Sequence, residues 1–170
     1  MAKDNQNSTT QNPSSWASST HRFFQSVGTF GSIMPQSSSL KGLAYPDLIR
    51  ELLKLHRIDR GRITSSVSVK PAFLNSFGSL HGGAVASIAQ AIAEACARTV
   101  VAEDKEMFLG ELATSYLSPA RVNDEVEVEG VVVRSGRNVT VTSIEFRKKG
   151  TKQLLYTARA TFYNTPVAKL

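Results

Sequence analysis

Cysteine, tryptophan and histidine are scarce in this chain: of 170 residues one is Cys, one is Trp and three are His. The lone thiol, Cys96, excludes an intrachain disulfide framework and fits a reducing compartment. It sits inside an apolar run, where cysteine serves as a small buried hydrophobe. His21, His56 and His81 are far apart, so no zinc-ligand spacing exists and no metal is expected. No apolar run nears the roughly 20 residues that cross a bilayer, so membrane insertion is not expected. Acidic side chains are outnumbered, 14 against 20 basic, for a net charge of +6. Such an excess attracts polyanions. The cations are dispersed, apart from short clusters at 57–62 and 147–152, and no RNA-binding signature accompanies them. Nucleic acid is not an expected partner; a small polyphosphorylated ligand suffices.

The length fits one domain with a respectable core. Residues 1–40 read as an extension without a fold of its own: ten serines, one acidic residue (Asp4) and little apolar periodicity. A Ser-rich, acid-poor N-terminus also describes an organelle transit peptide, although only Lys3 and Arg22 are basic. The folded domain is placed at 41–166, with a tail at 167–170. Tyr45-Pro46-Asp47 opens an expected short amphipathic helix that runs to about Leu55, with Leu48, Ile49, Leu52, Leu53 and Leu55 on its apolar face and His56 at its end. Alternation over Arg62–Lys70 gives a first strand. Four more strands are expected at roughly 107–117, 124–135, 138–148 and 153–164, rich in β-branched residues, with Ser135-Gly136 as a hairpin turn.

Between them lies the most informative segment, Asn75-Ser-Phe-Gly-Ser-Leu-His-Gly-Gly83, followed at once by an alanine-rich run to Arg98. Alanine is the best helix former, so a long helix is expected there. Its first N–H groups carry partial positive charge, and glycine lets an oxyanion or phosphate approach them closely.

In order and spacing, Asn75 with Gly78, Leu80-His81-Gly82-Gly83, the helix, the strand Leu112–Arg121 and the hairpin Val131–Val141 resemble the hotdog-fold acyl-CoA thioesterases. The closest likeness is to the small phenylacetate-pathway-like group and its plant and animal relatives. The resemblance covers about residues 45–165. It implies an α+β fold in which a curved antiparallel sheet wraps one long helix, and it implies hydrolysis of an acyl-CoA to free acid and coenzyme A. Coenzyme A is then part of the substrate, and no cofactor is expected. The resemblance places the oxyanion donor at the Gly82 backbone N–H, with Asn75 helping to hold the carbonyl or water and His81 as a positioning residue. The family's catalytic carboxylate falls at Gln90, an amide that cannot take up a proton at neutral pH. Glu94, one turn on and about 6 Å along the axis, is the first replacement base; an ion pair with Arg98 is its bland alternative. Glu111 is the second. The turn Arg134-Ser135-Gly136-Arg137, together with Gly83, is implied to bind coenzyme A, with Arg121 a weaker phosphate ligand. Phe73, Phe77 and Phe108 are candidate linings for the acyl tunnel.

The resemblance also implies a homodimer, often paired into a tetramer, with Gly82 of one copy facing Gln90 and Glu94 of the other. Gln90 keeps a second reading open, an acyl-CoA binder without hydrolysis. A hotdog dehydratase would need a His–acid pair, and His81 alone is near the site. The final Ala168-Lys169-Leu170 resembles a peroxisomal signal, which implies an import receptor as partner; a plastid or mitochondrial address through the N-terminus is the alternative.

Overall fold

Ile92 and the sheet beneath it set the arrangement of the molecule. The computed structural model describes Ile49, residues 52–102 and residues 104–166. The Ser-rich stretch 1–40 and the tripeptide Ala168-Lys169-Leu170 lie outside the described residues. The elements run β1 (Leu53–Asp59), β2 (Arg62–Ser68), a 3-10 turn at Pro71–Phe73, α1 (Gly82–Arg98), β3 (Lys105–Tyr116), β4 (Glu125–Ser135), β5 (Val139–Lys148) and β6 (Leu154–Pro166). All six strands join one antiparallel sheet in the order β1-β2-β4-β5-β6-β3.

α1 buries Ala84, Val85, Ile88, Ala89, Ile92, Ala93, Cys96 and Ala97, a stripe with the 3.6-residue period. The opposing sheet face supplies Ile63, Val67, Val126, Val128, Ile144, Phe146 and Phe162, each at most 2% exposed. The small residues of β6, Ala158 and Ala160, make room for the helix. At the centre, a Cβ on Gly130 would lie 2.7 Å from Ile92 Cγ2, so only glycine lets this helix sit so close to β4. The alternation expected for β2, and the β-branched runs expected for β4–β6, are thus the packing of one sheet face on one helix. Cys96 is fully buried, and that burial raises the pKa of its thiol.

One expectation fails. The helix expected to run to Leu55 ends earlier, and 53–59 form β1 instead. Ile49 and Leu52, three residues apart, are helical and buried, but Leu55 is 54% exposed. His56 therefore ends no helix; it lies in β1, with Nε2 2.8 Å from Ser66 Oγ on β2. β1 is an edge strand exposed at most positions, so it shows no apolar alternation for sequence reading to catch. β3 forms the other edge and pairs only with β6.

The loop after β3 is pinned by Asp124. Burial alone would raise the pKa of this carboxyl, but Lys148 Nζ at 2.7 Å and the Arg121 N–H at 2.9 Å overcome that and hold it below the usual value. A lowered pKa stabilises the fold above the unfolded value of about 3.9 and stops doing so as pH falls through the folded one. Asp124→Asn should therefore cost about 1 kcal/mol at pH 7, less in high salt because Lys148 is partly exposed. Urea titrations of both proteins should converge as pH drops below about 4. A gap that persists at pH 2 would sink this account.

Candidate functional site at the start of the long helix

His81 starts α1. Its backbone is extended (φ −61°, ψ 131°), and its Nδ1 accepts the Gly83 N–H at 2.9 Å. Its carbonyl accepts the Val85 N–H at 3.1 Å, and its own N–H donates to the Phe73 carbonyl at 2.8 Å. With Nδ1 accepting, the proton of the neutral ring sits on Nε2. Nδ1 is thus engaged in the helix cap. With Gly83 N–H engaged, Gly83 is unavailable as a ligand donor through its amide unless the cap opens. The Gly82 N–H has no partner among the described residues.

Gly82 lines a cleft of about 410 Å³ with Asn75, Ser79, Tyr116, Leu117 and Tyr156, among others. Asn75 holds the loop before the helix. Its Oδ1 accepts the N–H groups of Phe77 (3.0 Å) and Ser79 (3.2 Å), and its Nδ2 lies 3.0 Å from Ser79 Oγ. One Nδ2 hydrogen is left for a ligand. The structure thus brings Asn75 and Gly82 to one cleft. A second depression of about 240 Å³ flanks the helix start on the side of His81, Gly83 and Phe73.

The other residues expected at the site lie elsewhere in this chain. Gln90 and Glu94 are exposed on α1, about 12 and 18 Å along the axis from Gly82. Among the described residues Glu94 has no ion pair: Arg98 donates instead to the Lys105 carbonyl at 3.2 Å. Glu111 is exposed on the pleat opposite Leu112, which packs on the core, so it faces away from α1. Arg134, Ser135, Gly136 and Arg137 form an exposed hairpin turn near the far end of α1, where Lys105 Nζ reaches the Arg137 carbonyl. Arg98, Lys105 and Arg137 are linked there through the Lys105 and Arg137 carbonyls, a link that no motif marked. Arg121 donates to the Phe77 carbonyl at 2.8 Å and so latches the Asn75 loop. The three tunnel candidates do not converge: Phe73 packs on the core, Phe77 is 82% exposed, and Phe108 is exposed beside Tyr163 in the register of β3 and β6. Among the described residues no group of three or more metal-ligating side chains exists, and no helix is long and apolar enough to cross a membrane.

Tyr116 was not singled out from sequence. Its hydroxyl donates to the Gly82 carbonyl at 3.0 Å, and its ring would touch a Cβ placed on Gly82 at 3.4 Å. Strand alternation puts it on the helix side of β3, but only the fold shows that it meets the helix start.

Removing the cap is a direct test of this local geometry. His81→Ala should lower stability by about 0.5–2 kcal/mol, read from denaturant unfolding. An unchanged midpoint would mean that the ring does not hold the helix start.

Comparison with known proteins agrees with the geometry. Residues 77–155 match the thioesterase superfamily. The Caenorhabditis elegans protein F42H10.6, an esterase by name, is 34% identical over 112 residues, 66% of each chain, so about a third of that relative is unmatched. Human acyl-coenzyme A thioesterase 13 is 24% identical over 101 residues, 59% of this chain and 71% of the relative. Among solved structures, AziG of S. sahachiroi superposes with a TM-score of 0.67 at 23% identity, over 74% of this chain and 98% of its own. The protein smu.793 of Streptococcus mutans, solved with acetyl CoA, gives 0.63 at 20% identity, over 69% and 91%. At these identities the structural likeness is one of fold, and that fold is the hotdog, one helix on a six-stranded antiparallel sheet. The chain belongs to the thioesterase superfamily.

Proposed function

We propose that this protein hydrolyses acyl-CoA thioesters to a carboxylic acid and coenzyme A. The observation that carries the reading is the unpartnered Gly82 N–H at the start of α1, beside Asn75 in a cleft. A thioester carbonyl placed there has its developing oxyanion met by a preorganised donor, an effect worth about 10²–10³ in rate. Asn75 Nδ2 orients the carbonyl or the attacking water. Water adds to the carbonyl carbon and gives its proton to a carboxylate. The tetrahedral oxyanion then collapses, the C–S bond breaks, and the coenzyme A thiolate leaves and is protonated.

The base must come from a second copy. Gln90 and Glu94 are too far from Gly82 in their own chain for direct proton transfer, which needs about 3 Å. The free edge of β3, twelve residues long, suits strand pairing between two copies. With the two helices antiparallel, Gly82 of one copy faces Gln90 and Glu94 of the other. The far-end cations Arg98, Lys105, Arg134 and Arg137 of that second copy then reach the phosphates of coenzyme A. Within one chain they stand about 24 Å along the helix from Gly82. The acetyl CoA carried by the Streptococcus mutans structure supports this substrate class. A tetramer built from two such dimers is the expected assembly.

Glu94 is the base in this reading, since Gln90 holds no exchangeable charge. Thiol release from a panel of acyl-CoAs should show turnover by wild type and a loss of about 10²-fold or more in Glu94→Gln. Gln90→Asp should gain activity. Sedimentation at assay concentration should give a dimer or tetramer, and a monomer that turns over would remove the two-copy site. Gln90 favours one other reading, an acyl-CoA binder without chemistry: wild type would then bind coenzyme A esters unchanged, and Gln90→Asp would create hydrolysis.

For location we propose the peroxisome, on the C-terminal Ala168-Lys169-Leu170 and its import receptor, with a plastid or mitochondrion as the alternative. Deleting Leu170 should disperse an N-terminally tagged fluorescent fusion through the cytosol; an unmoved fusion would sink the peroxisomal address.

A further inference from the structure

We infer that Tyr116 is a positioning residue of the reaction, holding Gly82 so that its N–H stays aimed at the thioester carbonyl. The inference rests on the reading of Gly82 as the oxyanion donor. Among the described residues Tyr116 is the one side chain hydrogen-bonded to Gly82, through its hydroxyl at 3.0 Å from the carbonyl oxygen. Two peptides flank Gly82: the one that carries its N–H is held by the Val85 N–H on the His81 carbonyl, and the one whose carbonyl Tyr116 binds is also held by the His81 cap on the Gly83 N–H. Glycine has no side chain to narrow its dihedrals, so a donor carried by glycine needs restraint from outside. Tyr116 supplies the contact on the cleft side.

The tyrosine is itself braced. It ends β3, opposite Tyr156 of β6, and the two rings meet edge to face with centroids 5.8 Å apart. Tyr156 is 3% exposed, packs edge to face on Phe146, and accepts the Ala120 N–H at 2.8 Å. A core ring thus carries a half-exposed one, and the half-exposed one touches the helix start. Packing alone would be served as well by phenylalanine at 116; the hydroxyl has the Gly82 carbonyl as its only partner among the described residues. Its removal leaves the ring, the cleft wall and the fold in place, and takes away the one side-chain bond to Gly82 among the described residues.

The test pairs kinetics with a probe of the glycine itself. In Tyr116→Phe, kcat should fall about 10- to 100-fold with KM within about twofold, since the lost restraint acts on the transition state. The thermal midpoint should stay near that of wild type. In glycine-selective ¹⁵N-labelled protein, with 11 glycines to assign, the Gly82 and Gly83 amide signals should move while those of Gly130 and Gly150 stay. Wild-type kcat in the variant overturns the inference and leaves the hydrolase reading intact. A fall in kcat matched by a loss of stability, with the Gly82 signal unmoved, also overturns it, because the effect is then general. If wild type turns over no acyl-CoA, the hydrolase reading fails by itself. The positioning role then falls with it, whatever the Gly82 signal does.

Discussion

The seat of Ile92 over Gly130 fixes the long helix on its sheet. Any side chain at 130 would push α1 outward, and the helix could not keep its buried stripe against β2, β4, β5 and β6. Because the helix is rigid, fixing its middle fixes both of its ends. One end brings Gly82 under Tyr116 and beside Asn75. The other brings Arg98 to Lys105 and, through Lys105, to the Arg137 hairpin. Two sites of different chemistry are thus held at a set separation by one apolar contact in the core.

That separation has a consequence for function. On the proposed reading, a chain that presents its oxyanion donor at one end of α1 and its carboxylate and cations towards the other cannot bring them to one thioester. Two chains in opposite orientation can, because each then offers its far end to the other's near end. The exposed side of α1 fits this: Gly83, Gln90, Ala91, Glu94 and Ala95 face solvent in the single chain, and three of these five are Gly or Ala. Small side chains let another backbone come close, while the amide and carboxylate are the groups left to act.

Much of this was legible in the sequence because it follows from local rules. α1 was read from its unbroken alanine-rich run, β2 from alternation, and β3–β6 from β-branched enrichment and a turn signal, each within a few residues of its observed bounds. The helix start was read from His81-Gly82-Gly83. β1 was missed because an edge strand needs no apolar face, and the leucines around 48–55 carry a helical period into it. Glu94 and Arg98 have the spacing of an ion pair, yet the guanidinium turns to the Lys105 carbonyl, an acceptor fixed by where β3 begins. Tyr116 and Lys105 were invisible for a related reason. Their partners are 34 and 32 residues away, and only the docking of the helix and the order of the strands bring them together.

The same limit bears on Gln90. Read along the chain, an amide in the family's carboxylate position looks like loss of chemistry. Read on the helix, Glu94 presents a carboxylate on the same side one turn later. A shift of about 6 Å cannot be bridged by bending a glutamate side chain alone. It can be met if the whole thioester sits further along the partner helix, and its position is set by the Gly82 donor, the cleft wall and the phosphate cations together. A site whose oxyanion donor is a backbone N–H beside a restraining tyrosine has that donor fixed to within the tolerance of one peptide. In the proposed dimer the register between the two helices is therefore the remaining freedom, and pairing of the β3 edges would set it. A change of two residues in the pairing of two antiparallel edges moves one copy past the other by about 7 Å, close to one helical turn. In the proposed dimer, strand register through that geometry is what would let Glu94 serve as the base in place of Gln90.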